Sequence, residues 1–117
     1  MNLEIMDRDE KIMECLGEEE ILLQLAEECS ELAKAALKLR RVLDGRNPTP
    51  KTEEEARADL IEEVADIWCV LDVLLDEAQT DASWVISMQK GDRWLSRLED
   101  NLQRKQAESR QENVLEG

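Results

Sequence analysis

The chain of 117 residues carries 29 Asp and Glu against 15 Lys and Arg, a formal net charge of −14, and has no histidine. That excess repels a nucleic-acid duplex and an anionic membrane surface. The missing imidazole removes Ser-His-Asp and Cys-His catalysis, His-ligated zinc and the Glu-x-x-His di-iron site.

With 42% hydrophobic and 38% charged residues but only four Gly and two Pro, the composition favours long helices, in one domain spanning 1–117. A short first helix is expected over 7–16, with Asp7 and Glu10 in capping-box spacing and Gly17 as its stop. The second runs from Glu18 to about Leu43, and DGRNPTPKT, residues 44–52, is the one clear loop, holding both prolines. Thr52 then caps a third helix, with Glu55 three residues on, that continues to about Gln79. Asp81 is the expected cap of a fourth, which carries Trp84, Ile86, Trp94, Leu95 and Leu98. The core therefore covers about 18–103, and the polar tail 104–117 is expected to fray. No strand signal occurs, so the fold class is an all-α bundle of about four helices. Cys15, Cys29 and Cys69 read as reduced core or interface residues of a cytoplasmic protein. No apolar run approaches the ~18 residues of a membrane span, and the acidic start is unlike a signal peptide.

At about 100° per residue, Leu22, Leu25, Cys29, Leu32, Ala33 and Ala36 share one face of the second helix. Glu28 and Glu31 lie at its edge or inside it, whereas Glu27 sits among Lys34, Lys38 and Arg41. The third helix repeats the pattern. Ala56, Ile67, Val70 and Leu74 fall within about 40° of Glu63, Asp66 lies beside Val73, and Trp68 is expected to pack on the opposite side. A carboxylate with apolar neighbours is costly unless a cation meets it. E-x-x-E spacings arise easily in so acidic a chain; what sets these two pairs apart is their apolar context on consecutive helices. If the helices run antiparallel, Glu28, Glu31, Glu63 and Asp66 converge. An all-carboxylate set suits Mg²⁺ or Mn²⁺, and Mg²⁺ held this way keeps open positions for phosphate oxygens. The expected metal site thus lies between the two long acidic helices, with phosphoryl chemistry on a nucleotide or similar anion.

EECSE at 27–31 followed by EVAD at 63–66 resembles the EExxE…ExxD signature of MazG-like all-α nucleoside triphosphate pyrophosphohydrolases. The phrases LAEECSELAKAALK and DLIEEVADIWCVLDVLL share the family's character, and the likeness covers roughly residues 18–98. A spacer of 31 residues between Glu31 and Glu63 is on the long side, with the excess in the loop. The resemblance implies Mg²⁺-dependent hydrolysis of an NTP or dNTP to the monophosphate and pyrophosphate by metal-activated water. It makes Glu28, Glu31, Glu63 and Asp66 the ligands, with Glu31 or Glu63 accepting the water's proton. It also implies that Lys90, Arg93 and Arg97, at i, i+3 and i+7, hold the phosphates. Gln24, one turn before Glu28, suits a hydrogen bond to nucleotide or ligand water, or plain surface exposure. Trp94, like Trp84, suits either base stacking or packing.

Nothing in the residues reads a base, so dUTP and phosphoribosyl-ATP are rival substrates on the same fold. A rival of another class is a metal-free acidic helical interaction protein. The broad apolar arcs of the second and third helices lead us to expect a homodimer or tetramer.

Overall fold

The computed structural model describes residues 3–116, all of whose regular structure is helical: α1 (Leu3–Leu16), α2 (Glu18–Asp44), α3 (Glu53–Leu74) and α4 (Glu77–Glu116). The chain divides between Asp76 and Glu77 into two compact units, the first built from α1, α2 and α3 and the second from α4 alone.

Backbone chemistry sets most of the boundaries. Gly17 takes φ 81° and its N–H donates to the Met13 carbonyl at 2.8 Å, closing α1 and opening α2 in one residue. Gly45 takes φ 73° and its N–H donates to the Arg41 carbonyl at 2.8 Å, ending α2. Glycine is the residue that adopts such left-handed angles without a Cβ penalty. Thr52 and Glu55 form the expected reciprocal capping box: Thr52 Oγ1 accepts from the Glu55 N–H at 3.1 Å, and Glu55 Oε1 accepts from the Thr52 N–H at 3.2 Å. Four boundaries differ from the sequence reading. The first helix starts at Leu3, so Asp7 is no cap; it sits within α1 and pairs with Lys11 at 3.0 Å. The third helix stops at Leu74, and the fourth begins at Glu77, leaving Asp81 inside α4. The polar tail continues α4 as helix to Glu116, because residues 103–116 contain no Gly or Pro and mostly straight-chain helix formers.

The eight-residue loop 45–52 returns the chain, and α2 and α3 pack as an antiparallel hairpin. On α2 the covered positions are Ile21, Leu25, Glu28, Leu32, Ala35, Leu39 and Val42, alternating steps of four and three. On α3 Ala56, Leu60, Glu63, Ile67, Val70 and Leu74 show the same alternation, with Asp59, Leu71 and Val73 also partly covered beside them. This 3.5-residue rhythm is the seam of a left-handed helix pair. Ala56, 1% exposed, marks its tightest point, and Ile21 and Leu39 each contribute about 2 kcal/mol by burial.

The seam corrects the face expected for α2. Leu25 and Leu32 belong to it, but Leu22, Cys29, Ala33 and Ala36 are exposed. Two apolar stripes one residue apart overlap in this sequence, and pairing with α3 selects the one containing Glu28. Trp68, expected to pack, is 50% exposed, and all three cysteines are free thiols on exposed positions rather than core residues. Within α4, Trp84, Met88, Gly91, Leu95, Leu98 and Leu102 follow a heptad rhythm of their own.

Candidate metal centre

The α2–α3 seam carries one carboxylate from each helix, Glu28 and Glu63, where the heptad otherwise supplies Leu, Ile, Val or Ala. Asp66, one turn beyond Glu63, stands at the seam's edge and is exposed, while Glu28 and Glu63 are half-buried. One carboxylate oxygen from each of Glu28, Glu63 and Asp66 lies within 4.8 Å of the others. Around Mg²⁺ at about 2.1 Å, oxygens sit about 3 Å apart when adjacent and about 4.2 Å apart when opposite. Small rotamer adjustments therefore suffice to close these three groups on one ion. The donors are all hard oxygens, the set that fits Mg²⁺ or Mn²⁺ and not a thiophilic metal.

The electrostatics point the same way. Partial desolvation pushes the Glu63 carboxyl above its ordinary pKa, and Asp66, Glu28, Glu31 and Glu62 add like-charge repulsion in that order. Four neighbouring anions act on Glu63, and a bound cation would offset both their repulsion and the desolvation.

Of the sequence-expected ligands, Glu31 is not in the triad. It is exposed, its Oε1 accepts from Lys34 Nζ at 3.4 Å, and it reaches Glu63 only through the charge it adds. The reason is the seam's position: with Leu32 turned toward α3, Glu31 points to the hairpin's polar side. Gln24 touches the cluster directly, its Nε2 donating to Glu28 Oε1 at 2.8 Å, which orients that carboxylate. Lys90, Arg93, Trp94 and Arg97 lie together in α4, lining one shallow groove with Asn101. They share a face, as their spacing requires, and Trp94 is 65% exposed.

One ion pair near the site escaped the sequence reading. Lys51, in the loop, donates to Asp59 of α3, which raises the ammonium above its ordinary pKa. The pairing ties the loop to the helix that carries Glu63 and removes Asp59 from the pool of free carboxylates. A lysine just before a helix whose first turns are acidic was the available signal. The chain matches no family model, no curated protein and no solved structure.

Proposed function

We propose that this chain is a Mg²⁺-dependent nucleoside triphosphate pyrophosphohydrolase of the MazG-like type. The observation that carries the reading is the convergence of Glu28, Glu63 and Asp66 in an otherwise apolar helix seam. Two seam positions given to carboxylates weaken the hairpin unless they serve a ligand.

Glu28, Glu63 and Asp66 would hold the ion, with Gln24 fixing the Glu28 rotamer. Mg²⁺ held there would supply Lewis-acid polarisation of phosphate oxygens and activation of a water at neutral pH. Glu31, outside the triad yet close enough to influence Glu63, is left free to accept a proton from the attacking water. Glu63, its proton affinity raised, is the second candidate for that role. Lys34 Nζ pairs with Glu31 Oε1 at 3.4 Å. On α4, Lys90, Arg93 and Arg97 present three cations along one face, a set suited to phosphate oxygens. Exposed Trp94 in the same groove offers a face for a base.

The test is pyrophosphate release from a panel of NTPs and dNTPs, including dUTP, together with phosphoribosyl-ATP, with and without Mg²⁺. Metal-dependent turnover lost in Glu63→Gln supports the reading and names the substrate. No turnover of any of them by the folded wild-type protein sinks it.

A further inference from the structure

The polar side of the hairpin changes sign along its length. A step of one residue turns the direction by about 100°, and in antiparallel helices that turn runs in opposite senses when seen from one end. Residues just before a seam position therefore emerge on one common side. On α3 these are Asp59, Glu62 and Asp66, and on α2 they are Glu31, then Lys34, Lys38 and Arg41. Residues 18–31 and 59–76 carry twelve carboxylates and no Lys or Arg, whereas residues 32–58, which include the loop, carry seven Lys or Arg against four acids. The triad thus stands at the border of a cationic half in a chain of net charge −14. Two ammonium groups are tethered at that border, one held by each helix. Lys34 Nζ donates to Glu31 Oε1 at 3.4 Å, reaching back one turn toward the triad as helical side chains lean. Lys51 of the loop donates to Asp59, and that hydrogen bond keeps its ammonium above the ordinary pKa, charged throughout the neutral range. The seam sets Glu28 across from Glu63, so Glu31 lies about 4.5 Å and Asp59 about 6 Å from that level toward the loop. An ammonium has three N–H donors, and its carboxylate takes one, leaving two for another anion.

We infer that Lys34 and Lys51 form a two-sided clamp for the terminal phosphates of a nucleoside triphosphate, whose phosphate chain runs from the carboxylate triad toward the 45–52 loop. The inference rests on the metal-dependent pyrophosphohydrolase reading and adds which end of the substrate meets the loop. Both lysines stand on the side where Asp66 and Glu31 emerge, and they close on it from opposite helices. Their carboxylates hold the ammonium groups in place before substrate arrives, which lowers the ordering cost of binding. Lys51 is the better held of the two, its side chain 36% exposed against 66% for Lys34. Lys38 and Arg41, exposed farther along the same side, have no ion-pair partner among the described residues and extend the attractive field toward the loop. In the other direction, residues 18–27 carry four carboxylates and no cation, which repel a phosphate chain laid the opposite way.

Inorganic pyrophosphate is the probe for that end of the substrate, titrated calorimetrically into the full chain in saturating Mg²⁺. Lys34→Gln and Lys51→Gln, with helicity checked by circular dichroism, should each weaken its binding by about 10-fold or more, the effect of losing one charge-assisted hydrogen bond. Lys51→Arg keeps the charge and should stay close to wild type. Arg57→Gln removes a cation one position after the seam residue Ala56, on the opposite side of the same hairpin, and should leave the affinity unchanged. Mn²⁺ binding without pyrophosphate should be kept or tightened in both glutamine variants, since each loses a cation beside the triad. Metal and pyrophosphate binding that weaken together would show that the two pairs only hold the fold, and would overturn the clamp. Pyrophosphate affinity unmoved in both variants overturns it while metal-dependent turnover stands. So does affinity lost only in Arg93→Gln, which would put the phosphates on α4. A folded chain that binds no Mn²⁺ and turns over no nucleotide fails at the earlier reading, and the clamp falls with it.

Discussion

Replacing Glu28 by Leu should stabilise the metal-free protein while removing its response to metal. Glu28 occupies a covered seam position between Leu25 and Leu32, opposite the α3 stripe that contains Glu63. A leucine there restores the heptad, and because the site is half-buried it gains about half of the 1.5–3 kcal/mol of full burial, roughly 0.75–1.5 kcal/mol. Loss of the exposed hydrogen bond from Gln24 gives back about 0.5 kcal/mol. The net gain of about 0.25–1 kcal/mol corresponds to a rise in Tm of roughly 1–6 °C for a chain of this size. Thermal denaturation followed at 222 nm, in EDTA and then in millimolar Mg²⁺, separates the two effects. The wild-type Tm should rise with Mg²⁺, by about 2.7 kcal/mol of stabilisation at a hundred times Kd. Glu28→Leu should begin higher in EDTA and not move. A variant that melts below wild type in EDTA would show that Glu28 stabilises the seam by itself, and the reasoning from apolar context would fail.

The raised Glu63 pKa fixes the sign of a pH dependence. The folded state holds this proton more tightly than the unfolded chain, so ionised Glu63 opposes folding. Stability of the metal-free protein should therefore increase as pH falls through the folded pKa toward the ordinary value near 4.5, and decrease as pH rises through it. Urea denaturation of wild type and Glu63→Gln across that range should show the difference between them shrinking on acidification; a constant difference refutes the shift. At the start of α3, Thr52→Ala removes half of the capping box and should cost about 1 kcal/mol, with Thr52→Ser close to wild type. Equal losses from both substitutions would mean that the hydroxyl is not the operative group.

How much of this was legible beforehand varies with the kind of signal. Thr52, Glu55, Gly17 and Gly45 announce their boundaries because caps and left-handed glycines are local chemistry, written within three or four residues. The α3–α4 junction was not legible: LLDEAQTDAS contains no Gly or Pro, and the break at Leu75 belongs to no strong breaker residue. Acid pairs could be read as candidates, but α2 carries two apolar stripes one residue apart, and only α3 decides between them. That choice moves Glu28 from the edge to the centre of the seam and turns Glu31 away. The Lys51–Asp59 pair depends on the path of a proline-containing loop, which spacing alone does not specify.

The most direct measurement is a Mn²⁺ titration followed by the loss of the free-ion paramagnetic resonance signal. The account predicts saturable binding by the wild-type protein, competed by Mg²⁺, strongly weakened in Glu63→Gln and Asp66→Asn, and largely kept in Glu54→Gln, an acid in the first turn of α3. Binding that is absent, or that all three substitutions reduce alike, would contradict a metal centre at Glu28, Glu63 and Asp66.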